Sequence, residues 1–303
     1  MHYILETHSL SKRIGNREIV SNVNIHVNQG EIYGFLGPNG AGKTSIMKMI
    51  TNLWKPTSGT IEIFGETLTP KSYNVLKRIS SIIEFPNFYD QLSGRENLEL
   101  HCEYMGFHSP DSVERALNLL ELPVRDNKAV SNYSLGMKQR LGIARAVLTK
   151  PELLVLDEPM NGLDPAGMKQ IRDLLKMLCK EYSITILISS HLLAEIETIA
   201  DTIGIIHHGK MLNEIAMAEI TEMNLVYIEL EVNDIRRASV ILSDALNISN
   251  FKIFDDKKIR VYDHSATSSD ISRAMGENNI VLEAIGKKSE TLEDYFLKLT
   301  SEV

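Results

Sequence analysis

"GPNGAGKT", Gly37 to Thr44, decides how this chain is read. Before it stands the short apolar run "EIYGFL"; after it Ile46, Met47, Met49, Ile50 and Leu53 recur at helical spacing, so the octet is a loop joining a buried strand to a helix. Glycines at 37, 40 and 42 reach backbone conformations closed to other residues, which lets successive N–H groups converge on an anion, and the following helix adds its positive end. Such a loop is built to hold phosphate. Lys43 supplies a mobile cation for the β- and γ-phosphates and Thr44 a hydroxyl for Mg²⁺, with Asn39, Gly40 and Ser45 completing the cradle. The ligands this implies are ATP and Mg²⁺.

Working outward, residues 1–30 alternate apolar and polar and predict antiparallel strands. Two later runs, "LLVLD" and "ITILIS", are continuously apolar, as suits strands of a parallel sheet covered on both faces. The carboxyl ends of parallel strands face the ligand crevice, so Asp157 and Glu158, closing the first run, arrive where the nucleotide lies. Asp157 is the expected metal holder and Glu158 the expected general base, accepting a proton from the water that attacks the γ-phosphate. His191, closing "ISSH", is placed to reach the γ-phosphate as well. Between these strands, Leu92 to Leu122 reads as helical, with a capped start at Ser109, Pro110 and Asp111, and "NYSLGMKQR" (132–140) opens a further helix, Leu135 to Leu148. "IGIIHHGKMLNEI" is a hairpin turning at Gly209. From about Leu225 the pattern runs strand, helix, hairpin, helix, strand, helix, a ferredoxin-like order ending in "TLEDYFLKLT".

The fold expected is α/β: a parallel sheet with an antiparallel β subdomain and a helical subdomain, followed by a small α+β domain. The boundaries expected are 1–220, with the helical subdomain at about 85–150, and 221–303. A length of 303 residues accommodates both, and 43% hydrophobic with 24% charged residues excludes disordered and fibrous classes. No apolar run approaches the ~18 residues of a spanning helix. The start lacks a secretory pattern, so a cytosolic chain is expected. Cys102 and Cys179 are far apart and read as free thiols. A net charge of −8 speaks against nucleic acid as a partner.

"GPNGAGKT", "YSLGMKQRLGIARA", "LLVLDEPMNGLDP" and "ISSH", in that order, resemble the nucleotide-binding subunit of ATP-binding cassette (ABC) transporters, over Leu5 to Ile215. The resemblance implies a phosphate-loop ATPase working as a homodimer through shared ATP sites. It further implies a membrane permease as partner and a peripheral place on the inner face of the membrane. "YSLGM" takes the place of that family's signature loop, with Ser134 and Gly136 retained and Leu135 and Met137 departing from its usual glycine and glutamine. In the family this loop serves the ATP of the opposing subunit; Ser134 and the N–H groups opening its helix suit such an anion site. "NGLDP", with Asp164, matches the D-loop that crosses the dimer interface beside Glu158.

Two departures bear on function. The family's adenine-stacking aromatic is matched by Ile14, which leaves aliphatic contact and an open choice between ATP and GTP. The Q-loop glutamine is replaced by Glu84, as in the "E-loop" ATPases of bacitracin-resistance and lantibiotic self-protection exporters; there Glu84 would join the metal site and the catalytic groups. Phe85, Phe88 and Tyr89 form either a groove for a short permease helix or part of the core. The function expected is an ATPase driving export of a peptide antibiotic. The alternatives are a soluble ABC ATPase acting on ribosomes or nucleic acid, and a nucleotide-dependent regulatory module.

Overall fold

In the computed structural model, residues 3–107, 109, 111–124, 127–222, 226–263, 266–289, 292 and 296 are described. The chain divides into two compact units, 1–218 and 219–303.

The first unit opens on two long antiparallel strands, β1 (Tyr3–Ile14) and β2 (Arg17–Asn28), then β3 (Ile32–Leu36), α1 (Lys43–Ile50), β4 (Ser58–Ile63), β5 (Glu66–Thr67), α2 (Tyr73–Leu76) and β6 (Ile79–Ile82). Three helices follow, α3 (Gly94–Met105), α4 (Ser112–Leu119) and α5 (Leu135–Val147), and these pack on one another. The chain then alternates: β7 (Leu153–Asp157), α6 (Pro165–Tyr182), β8 (Thr185–Ser190), α7 (Leu193–Glu197), β9 (Thr202–His207) and β10 (Lys210–Ala216), after which α8 (Met217–Glu222) runs across the boundary at 218.

Two sheets result. One is antiparallel, in the order β2-β1-β4-β5; the other runs β10-β9-β3-β8-β7-β6, parallel except for β10 on its edge. All residues of β3, β7 and β8 are buried, as continuous apolar strands require between two covered faces. Side chains of both sheets share one core with α1, including Leu5, Ile25, Phe35, Met47, Ile50, Val155 and Leu187. That core packs α1 against β7.

Two details differ from the sequence reading. Leu53 lies beyond α1 and is 62% exposed, because Asn52 adopts φ 59 and turns the chain out of the helix. Asp111 precedes α4 at φ 58, and its side chain makes no capping bond there; Pro110 lies outside the described residues.

The second unit holds β11 (Val226–Val232), α9 (Ile235–Val240) continuing as a π-turn (Ile241–Ala245), β12 (Phe251–Ile253), β13 (Lys258–Val261), α10 (Ser268–Glu277) and β14 (Leu282–Ser289). Its sheet is antiparallel throughout in the order β12-β13-β11-β14, which is the ferredoxin-like arrangement. Ile228, Leu230 and Val232 alternate along β11 and pack with Leu242, Ile271 and Met275 from the helices. "TLEDYFLKLT" falls outside the described residues except for Leu292 and Phe296.

Candidate functional site

The loop after β3 turns back on itself because Gly42 sits at φ 109, a conformation closed to residues with a Cβ, while a Cβ at Gly37 would overlap the Ile206 carbonyl. The turn brings Lys43 under its own loop. The ammonium is 4% exposed; it donates to the Gly37 carbonyl at 2.6 Å and the Pro38 carbonyl at 3.3 Å, and lies 3.3 Å from Glu158 Oε1. One residue on, Thr44 Oγ1 donates to Asp157 Oδ2 at 2.8 Å.

The strand ends supply the rest. Ser189, fully buried at the end of β8, donates to Asp157 Oδ1 at 2.7 Å and accepts from the Glu158 N–H at 2.9 Å. His191 Nδ1 stands 2.6 Å from Glu158 Oε2. Glu158 itself adopts φ 50, so the backbone leaves the β7 direction and carries its carboxylate to a point between Lys43 and His191. Each carboxylate oxygen thus has a defined neighbour, which fixes the group in one orientation.

These residues border a cavity of about 530 Å³. Its lining includes Asn39, Gly40, Gly42, Lys43, Thr44, Ser45 and Glu158 from the sequence expectation, with Gly37, Asp157 and His191 joined to them by the bonds above. The lining also includes Arg17, Glu18 and Ile19 at the start of β2 and His208 and Gly209 in the β9–β10 turn. A cavity of equal volume near the amino ends of β7 and β8, lined by Leu119, Val147, Pro151 and Tyr182, contains none of the expected site residues. The chemistry resides in the first.

Residues 20–161 match the family model described as ABC transporter. An ABC transporter ATP-binding protein of Bacillus subtilis, YcbN, is 54% identical, over 99% of this chain and 97% of that protein. The chain is an ABC transporter ATP-binding protein. The bacitracin transport ATP-binding protein BcrA of Bacillus licheniformis is 46% identical over 99% of this chain and 98% of its own length. The lantibiotic transport ATP-binding protein SrtF of Streptococcus pyogenes is 42% identical over 70% of this chain. Among solved structures, the cassette MJ0796, described as a dimer in a post-hydrolysis state bound to ADP and Pi, superimposes with a TM-score of 0.63 at 25% identity, covering 70% of this chain and 98% of that one. The chain is accordingly an ATPase.

The remaining expected residues stand apart from that cavity. Ser134 caps α5, accepting from the Met137 N–H at 3.3 Å, and Asp164 caps α6, accepting from the Gly167 N–H at 2.9 Å; both are exposed. Their two loops touch: a Cβ on Gly162 would meet Leu135 at 3.1 Å, and one on Gly136 would meet Leu163 at 3.8 Å. Ile14 ends β1, is 52% exposed and does not line the cavity. Glu84 does not line the cavity either: its side chain is 63% exposed and pairs at 2.7 Å with Lys48, one helical turn from Thr44. Sequence reading missed Ser189, whose signal was a hydroxyl inside a buried strand end, and His208, which sits in an ordinary hairpin turn.

Proposed function

We propose that this ABC ATPase hydrolyses ATP between two copies of itself and drives a separate membrane permease that exports a peptide antibiotic of the bacitracin or lantibiotic kind. The observation that carries the reading is the Glu158 carboxylate, held between Lys43 and His191 on the wall of the phosphate cavity.

In this reading the loop N–H groups and Lys43 hold the triphosphate, and Thr44 with Asp157 hold Mg²⁺. The donor set fits that ion: Mg²⁺ is commonly bound by one or two protein groups plus substrate phosphates, and among the described residues no cluster of three or more His, Cys, Asp or Glu gathers to cage a metal. When bound, Mg²⁺ offsets charge on the phosphoryl oxygens. Glu158 takes the proton of the attacking water, and His191 orients that carboxylate through Nδ1; as imidazolium it would also have an Nε2–H to donate to the γ-phosphate. Ser134 and the N–H groups opening α5 close over the ATP of the opposing copy, with Asp164 beside them. Hydrolysis then removes the bridge between copies.

Among the described residues no helix is long and apolar enough to cross a membrane; in this reading the translocation path belongs to another chain. Phe85 and Tyr89, 67% and 55% exposed, offer apolar surface for a helix of that permease on the cytoplasmic side of the membrane, while Phe88 stacks under Arg145. The peptide cargo rests on the likeness to BcrA and SrtF and on Glu84 at the Q-loop position.

The test is Glu158→Gln, in the full chain expressed in a cell that carries a candidate six-span permease. ATP binding and nucleotide-dependent dimerisation should persist while turnover drops about 10²–10⁴-fold, the usual share of a general base. Normal turnover would remove Glu158 from the role, and failure to co-purify with a polytopic membrane protein would remove the transport reading.

A further inference from the structure

Of the residues lining the phosphate-loop cavity, His208 alone carries an aromatic ring. It is held there by backbone. The two-residue turn His208–Gly209, with φ 46 and φ 78, has the doubly positive signature of a type I′ hairpin turn, so His208 must project from the tip of β9–β10. Gly209 N–H donates to the Ala41 carbonyl of the phosphate loop at 2.9 Å, and its carbonyl accepts from Ser21 N–H of β2 at 2.8 Å. A Cβ on Gly42 would lie 3.5 Å from Gly209 Cα. Turn and phosphate loop therefore move as one piece. The His207 ring packs against the His208 ring, centroids 4.1 Å apart at 59°, which restricts the latter's rotation.

The direction of the nucleotide follows from charge. One end of the cavity carries the Glu158 carboxylate, with Asp157 bonded to Thr44 beside it, and takes the terminal phosphate. The wall left for the nucleoside includes Arg17, Glu18, Ile19 and His208. Ile14, at the position where the family resemblance places a stacking aromatic, is off that wall. We infer that His208 is the nucleoside-positioning residue of this chain, its imidazole packing on the purine of ATP in place of an aromatic side chain from the first strands. The inference rests on the phosphate loop holding the triphosphate.

Binding of ATP and of inorganic tripolyphosphate, measured by calorimetry on the full chain, separates the two readings. His208→Ala should weaken ATP about tenfold, the scale of one base–aromatic stack, and leave tripolyphosphate unchanged. His208→Phe should restore ATP binding, since a ring and not a charge is what the purine meets. Equal ATP affinity in wild type and His208→Ala overturns the inference, as does equal weakening of both ligands or a Phe variant no better than Ala. Lys43→Ala is the independent control: it should weaken both ligands, and if it weakens neither, the phosphate-loop reading fails instead.

Discussion

The strand-end cluster and the signature loop differ in where their polar groups find partners. Lys43, Thr44, Asp157, Glu158, Ser189 and His191 are joined by contacts of 2.6 to 3.3 Å within one chain. Ser134 and Asp164 are exposed and spend their side chains capping their own helices. A buried polar cluster must be satisfied internally, whereas an exposed helix N-terminus keeps N–H groups for an incoming anion. One region is complete in a single copy; the other has a surface with work left to do. In the reading above, that work is done on a second copy.

Removing the hydroxyl of Ser189 strikes the first region hardest. Ser189→Ala leaves Asp157 Oδ1 and the Glu158 N–H without their buried partner, at a cost of about 1–3 kcal/mol. Chemical denaturation should show that loss together with reduced turnover; a stable, fully active variant would mean the cluster is not a unit. Ser134→Ala should cost about 1 kcal/mol as a lost cap. Its turnover should nevertheless fall roughly tenfold or more, as when a preorganised donor to a developing anion is lost, with single-chain ATP binding intact. Unchanged turnover would erase the contrast between the regions.

A pH series sharpens the comparison within the helical subdomain. Burial, and then the Arg145 charge, holds the His101 imidazole below its usual range. A depressed folded value means the unfolded chain binds the extra proton, so this stability is present above about pH 6.5 and is lost as pH falls. Urea midpoints should decline from pH 7.5 to 5.5, and His101→Gln should flatten that slope. The smallest effect is expected at Glu84→Gln, because its ion pair with Lys48 is exposed and such pairs are worth about 0–1 kcal/mol. The Mg²⁺ dependence of turnover should stay as in wild type; a marked shift would return Glu84 to the metal.

Much of this architecture is legible in the sequence for local reasons. Continuous apolar runs announce β7 and β8, and three glycines around Lys43 announce a loop that no side chain could follow. The ferredoxin-like order of the second unit is visible because its strands and helices alternate in period. What escapes reading depends on contacts distant in sequence. Nothing near Glu84 says that Lys48, 36 residues earlier, will capture it. Ser189 looks like any strand serine until β8 is laid beside β7, pairing it with Asp157. His208 reaches the cavity only because its turn is bonded to Ala41 and Ser21.

The left-handed backbone at Glu158 sets stability against chemistry at a single bond. A residue with a Cβ is disfavoured there by roughly 1–2 kcal/mol, and glycine is not. In the reading above, glycine at 158 would relieve torsion while deleting the carboxylate, giving a chain that folds at least as well as an alanine variant and turns over about 10²–10⁴-fold more slowly. If Glu158 is the base, stability screens on this protein will reward its loss.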